Sequence, residues 1–138
     1  MVSVRKMHAG EEPAVAAVAR AGGDAARELA AAVASDPHAV RVVHMGAEVL
    51  GAFLVADLKD QVEQVSCITL SDEGRRTGAE PLVVDYVVKA ARFSRKRAVE
   101  VVAPPGSSEA RHLEALGFVR SVETDGEGAR YRLNLRGK

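Results

Sequence analysis

The chain is 138 residues long and 47% apolar, with only 4% aromatic residues and no Trp. That length fits one domain, residues 1–138, burying about two-thirds of its unfolded surface, and such an apolar share excludes a disordered chain. Nineteen Lys and Arg balance nineteen Asp and Glu, so no overall field draws nucleic acid or an anionic membrane, and aromatic stacking platforms for bases are lacking.

VSVRKM alternates as a short first strand. Glu11 to Arg20 reads as a helix whose first turn suits Glu11, Glu12 and Pro13. Gly22-Gly23 breaks it, Asp24 is the expected cap of a second Ala-rich helix through Val33, and Ser35-Asp36-Pro37 stops that one. AVRVVHMGAEVLGAFLVADL then reads as a hairpin turning at Met45–Glu48, with Gly51 marking a bulge or a close backbone approach. After the polar Lys59-Asp60-Gln61, QVEQVSCITL is a third consecutive strand, in which Cys67 is expected to be buried. One cysteine excludes an internal disulfide and a cysteine metal cage. His8, His38, His44 and His112 show no paired ligand spacing, so no metal is expected. No signal peptide or bilayer-length apolar run is evident, which predicts a soluble, cytoplasmic protein.

The stretch SDEGRRTGAEPLVVDYVVKAAR is polar and glycine-bearing in its first half and helical in its second, over Leu82–Ala91. Asp85, Lys89 and Arg92 make a narrow polar stripe on that helix, Asp85 and Lys89 being an i, i+4 pair, and Tyr86 reads as core. Arg95-Lys96-Arg97 follows where the helix should end and compensates its dipole. AVEVVA is a buried strand closed by Pro104-Pro105. Ser107 is placed to cap a last helix, Ser108–Leu116, with Gly117 as its left-handed end and Phe118 packing back. FVRSVET and ARYRLNL form a terminal hairpin around Asp125–Gly128. The order β-αα-βββ-α-β-α-ββ predicts an α/β (α+β) fold, a central mixed, mostly antiparallel sheet flanked by helices.

In this order, two fragments carry a family likeness. ITLSDEGRRTGAEPLV resembles the strand, turn and helix opening of the GNAT superfamily of acyl-CoA-dependent N-acetyltransferases, and EARHLEALGFVRS resembles its later helix ending in Leu116-Gly117-Phe118. The hairpin GAEVLGAFLV is similar to the family's second and third strands, with Gly51 at the customary place. The resemblance implies acetyl-CoA as acyl donor and an amine acceptor. The backbone of the strand carrying Ile68 and Leu70, splayed from its neighbour, would pair with the pantetheine arm. The turn of Arg75, Arg76, Thr77, Gly78 and Ala79 would cradle the pyrophosphate with N–H groups and guanidinium charge.

The chain departs from the family pattern at Glu80, where Gly or Ala lets the backbone approach the diphosphate, and at Leu113, the position of a Tyr that protonates the leaving thiolate. The Asn that often precedes that Tyr falls at Gly106. Glu63 is the candidate general base, against a solvated strand-end charge, and His112 reads as a surface residue. Two functions stay open from these residues: acetyl transfer to a primary amine of a small molecule or protein, or a weak or inactive module of the same fold that binds CoA or a partner protein. An unrelated α/β domain is a third reading, and small size with open sheet edges is compatible with a homodimer.

Overall fold

The computed structural model describes residues 1–123 and 128–135, apart from the side chains at 24, 25, 122 and 123. Seven strands form one mixed sheet: β1 (Val2–Lys6), β2 (Val40–Met45), β3 (Glu48–Leu58), β4 (Val62–Leu70), β5 (Ala98–Ala103), β6 (Val119–Glu123) and β7 (Ala129–Asn134). Their order across the sheet is β1-β2-β3-β4-β5-β7-β6. The described α-helices are α1 (Glu12–Ala21), α2 (Arg27–Ser35), α3 (Asp72–Arg76), α4 (Ala79–Phe93) and α5 (Ser108–Ala115). The expected β-αα-βββ-α-β-α-ββ succession stands, with α3 as an addition. No helix among the described residues is long and apolar enough to cross a membrane.

The chain gathers into two compact units, Met1–Val55 with Cys67–Val83, and Ala56–Ser66 with Val84–Lys138. In the first, β1 pairs antiparallel with β2 and β2 with β3. Helices α1 and α2 each bury an i, i+4 pair, Val15 with Ala19 and Leu29 with Val33. These join Ala26, Val40, Val42 and Ala52 in one core cluster. The one-sided spacing explains the packing, since residues four apart share a helix face. Helix α2 begins later than the sequence suggests, because Gly23–Ala26 form a 3-10 turn ahead of it. The side chain of Asp24, the expected cap, lies outside the described residues.

The β2–β3 ladder slips by one residue: Val43 faces Gly51 and His44 faces Val49, which leaves Leu50 as the extra residue of a bulge. Gly51 therefore marks both a bulge and a close approach. A Cβ on it would stand 2.6 Å from the Thr69 carbonyl oxygen and 2.5 Å from Leu70 Cδ2.

In the second unit, β4 and β5 run parallel with rungs from Val62–Ala98 to Val65–Val101; the residues of β4 from Cys67 to Leu70 belong to the first unit. Strand β7 pairs antiparallel with both β5 and β6. Of the turn expected at Asp125–Gly128, residues 125–127 lie outside the described ones. Helix α5 packs on β6 and β7. Ser107 Oγ accepts from Ala110 N–H at 3.1 Å, and Phe118 N–H closes the far end on the Leu113 carbonyl at 3.0 Å, past the left-handed Gly117.

Candidate active site

The cradle segment begins where β4 ends. Ser71 caps α3, its hydroxyl accepting from Gly74 N–H at 3.0 Å. Its own N–H donates to the Leu50 carbonyl at 2.8 Å, the carbonyl that the β3 bulge leaves over. Gly74 is required there, because a Cβ would lie 2.6 Å from that same oxygen. The segment expected as a glycine turn is thus a short helix, Asp72–Arg76, followed by Thr77 and a left-handed Gly78 (φ +75°). Helix α4 opens at Ala79, three residues ahead of the expected start.

This local fold fixes what the segment offers an anion. The N–H groups of Gly74, Arg75, Thr77 and Gly78 are taken by Ser71 Oγ and by the carbonyls of Ser71, Glu73 and Arg75. Pro81 has none. Among the described residues, the first turn of α4 is left with the N–H groups of Ala79 and Glu80. Thr77 Oγ1 already donates to the Gly74 carbonyl at 3.0 Å. Arg75 lies 3.7 Å from Asp72 and Arg76 lies 2.6 Å from Glu73, both as i, i+3 pairs. The hydrogen bond with Glu73 raises the Arg76 pKa further. Glu80 is half-buried, and from Ser71 to Glu80 the sequence carries three carboxylates against two guanidinium groups, a formal balance of −1.

Of the remaining expected residues, Ile68 is half-exposed, while Leu70 and Ala79 are buried. These belong to the first unit together with Arg75–Gly78. Glu63 is half-buried in the second unit, on the rung with Val99. Leu113 in α5 is fully buried, so that position is core in this chain. Gly106 is left-handed at φ +77°, and His112 is half-buried. Among the described residues no three His, Cys, Asp or Glu converge as metal ligands would.

Two features escaped sequence reasoning. Cys67, expected as a buried strand residue, is half-exposed and left-handed (φ +56°) in the middle of β4. Its sulfur lies 3.7 Å from Glu28 Oε1 on α2. Glu100, at the centre of the apolar β5, is buried and reaches Arg132 at 3.3 Å and Gln64 at 3.4 Å. The i, i+3 pairing of Asp72 with Arg75 and Glu73 with Arg76 follows from α3, a helix that the turn-like sequence does not announce. The Cys67 conformation has no sequence signal.

No protein-family model matches the sequence, and no curated protein matches it. Solved structures do match. Ard1 from Thermoplasma volcanium aligns at 14% identity over 99% of both chains, with a TM-score of 0.76. The IAA acetyltransferase from Bacillus cereus aligns at 15% identity over 98% of this chain and 100% of its own, TM-score 0.75. The PaiA N-acetyltransferase from Thermoplasma acidophilum, in complex with coenzyme A, aligns at 11% over 97% and 99%, TM-score 0.71. At such identities the likeness is one of architecture, and by that measure this chain has the fold of the GNAT acetyltransferases.

Proposed function

We propose that the chain binds acetyl-CoA and transfers its acetyl group to a primary amine. The observation that carries this reading is the run of β4 past its last parallel rung with β5, at Val65–Val101, straight into Ser71, α3 and the N-terminus of α4. A strand end of this kind offers the backbone of Ile68 and Leu70 to the pantetheine arm. The N–H groups of Ala79 and Glu80 are left to meet a phosphate oxygen at the positive end of the helix. Arg75 and Arg76 are both 68% exposed in their side chains, so either can exchange its carboxylate partner for a diphosphate at small cost. Catalysis then rests mainly on holding amine and thioester together.

Glu80 opposes this binding. A carboxylate about 5 Å from a phosphate charge costs about 3 kcal/mol at an effective dielectric near 20, up to about a hundredfold in affinity. Thermal melting with acetyl-CoA tests it, since a ligand stabilises the native state by RT ln(1 + [L]/Kd). Wild type is expected to shift modestly and Glu80→Gly more strongly. No shift in either protein at millimolar acetyl-CoA rejects the reading.

The buried Leu113 and the negative balance of the cradle favour a second reading, a module of the same fold that holds CoA or a partner protein without turnover. Acetyl-CoA-dependent release of free thiol with any amine excludes it.

A further inference from the structure

We propose that the C-terminal end of α4 carries a binding site for a small phosphate-class anion, built from Arg92, Arg95 and Lys96. The site lies wholly within the second unit and does not depend on the acetyl-transfer reading. A cleft of about 310 Å³ opens there, lined by these three cationic side chains and by Leu135, with no carboxylate among its described lining. That volume stands at the small end of ligand pockets. The backbone holds the cleft in shape. Lys96 N–H donates to the Ala91 carbonyl at 2.9 Å, Arg97 N–H to the Gln61 carbonyl at 2.8 Å, and Leu135 N–H to the Arg97 carbonyl at 2.8 Å. Lys96 is positioned as well. Its side chain is 20% exposed, and its Nζ donates to Asp57 at 3.0 Å. An ammonium has three donors, so among the described residues two of them stay available.

Basic residues at a helix end compensate the macrodipole, but the charge here exceeds what that role needs. A helix C-terminus amounts to about half a negative charge. Carbonyls of the last turn of α4 are already met by the N–H groups of Ser94, Arg95 and Lys96. Against this, the six residues from Arg92 to Arg97 bring four positive charges and no negative one. Asp57 takes up one of them, and among the described residues Arg92 forms no ion pair. Arg95 follows the helix at φ +60°, the left-handed place that glycine ordinarily takes. A guanidinium is thus kept where the backbone favours glycine, and it lines the cleft. The donors select the occupant. A carboxylate fills one planar guanidinium fork, whereas a phosphate spreads its charge over several oxygens and can engage two guanidinium groups and an ammonium together. A polynucleotide is disfavoured, since the lining holds no aromatic ring to stack a base and the chain has no net charge.

The test is calorimetric titration with pyrophosphate at fixed ionic strength, on the full chain as wild type, Arg92→Gln, Arg95→Gly and the cradle variant Arg75→Gln/Arg76→Gln. Melting without ligand is recorded for each protein. Wild type is expected to bind pyrophosphate, with affinity falling about tenfold or more in Arg92→Gln and in Arg95→Gly, the scale of one lost charge-assisted contact. The cradle variant should bind as wild type does. Arg95→Gly should also melt above wild type without ligand, because glycine suits the left-handed position. A gain in stability joined to a loss of affinity is what a binding role produces and a structural one does not. Absence of pyrophosphate binding in wild type overturns the proposal, and so does wild-type affinity in Arg92→Gln and Arg95→Gly. Loss confined to the cradle variant would place the anion at α3 and overturn it too. A single-stranded oligonucleotide that binds more tightly than pyrophosphate, and loses affinity in Arg92→Gln and Arg95→Gly, would overturn the small-anion assignment in favour of nucleic acid.

Discussion

Glu11 holds the end of β1 to the start of α1. Its carboxylate takes both guanidinium arms of Arg5 at 2.6 Å and the His8 N–H at 2.7 Å. The Arg5 hydrogen bond is the main reason its pKa falls from 4.5 to about 2, with the His8 N–H and both positive neighbours adding to it against a burial cost. A folded-state pKa below the unfolded one stabilises the protein above the unfolded value. The contribution is lost as pH falls from about 4.5 through about 2. Because the pair is partly exposed, solvent screening holds its net contribution to about 1 kcal/mol. Denaturant unfolding followed down this range should show stability dropping in wild type, and Glu11→Gln should start lower and decline less. Parallel curves would refute the linkage. Gln61 poses the opposite case. It is exposed and left-handed (φ +60°) after an equally left-handed Asp60. Glycine there relieves about 1–2 kcal/mol of strain and gives back up to about 1 in unfolded-chain entropy. Gln61→Gly is therefore expected to raise the urea midpoint by a gain of about 0.5–1 kcal/mol; a lower midpoint would contradict it.

Across three strands of the second unit, Gln64, Glu100 and Arg132 stand on adjacent rungs, one from each of β4, β5 and β7. The Glu100 side chain is 9% exposed and that of Arg132 is 42%. The two ends of the pair are therefore unequal. Removing Glu100 frees an arginine that already reaches water, whereas removing Arg132 strands a buried carboxylate with only Gln64 for company. Arg132→Ala is expected to cost about 3 kcal/mol and Glu100→Ala about 1, measured by urea unfolding. Equal losses would mean that the pair is not buried in the sense argued. This row was hidden from a sequence reading because AVEVVA carries one charge in an apolar strand, and its two partners lie 36 and 32 positions away.

At the scale of the whole molecule, the succession of elements was legible because each is declared locally. Alternation marks the strands, four-residue spacing marks α1 and α2, and Ser107 with Gly117 brackets α5. What was not legible has non-local causes. DEGRR looks like a loop on account of Gly74, yet it is helical because the Leu50 carbonyl seats Ser71 and demands that a glycine pass close above it. Cys67 turns left-handed in a strand whose sequence carries no Gly, Pro or Asn to signal it. Of the candidate site, Arg75 through Ala79 read in the sequence as a glycine turn, whereas the structure puts Arg75 and Arg76 in α3. Asp72 and Glu73 occupy both guanidinium groups, and most of the expected N–H donors serve α3 instead. A zero net charge likewise leaves no long-range attraction for an anionic ligand such as acetyl-CoA.

The extra residue at Leu50 has a consequence for how this chain can change. It lies twenty-one positions before Ser71, yet it sets the seat on which the cradle is capped. Lengthening the Gly46-Ala47 connection leaves that seat in phase. Deleting Leu50 would close the β2–β3 ladder into a regular one and take away the carbonyl that seats Ser71. The seat of the α3 cap would then be lost through a lesion twenty-one positions upstream, in the β2–β3 hairpin.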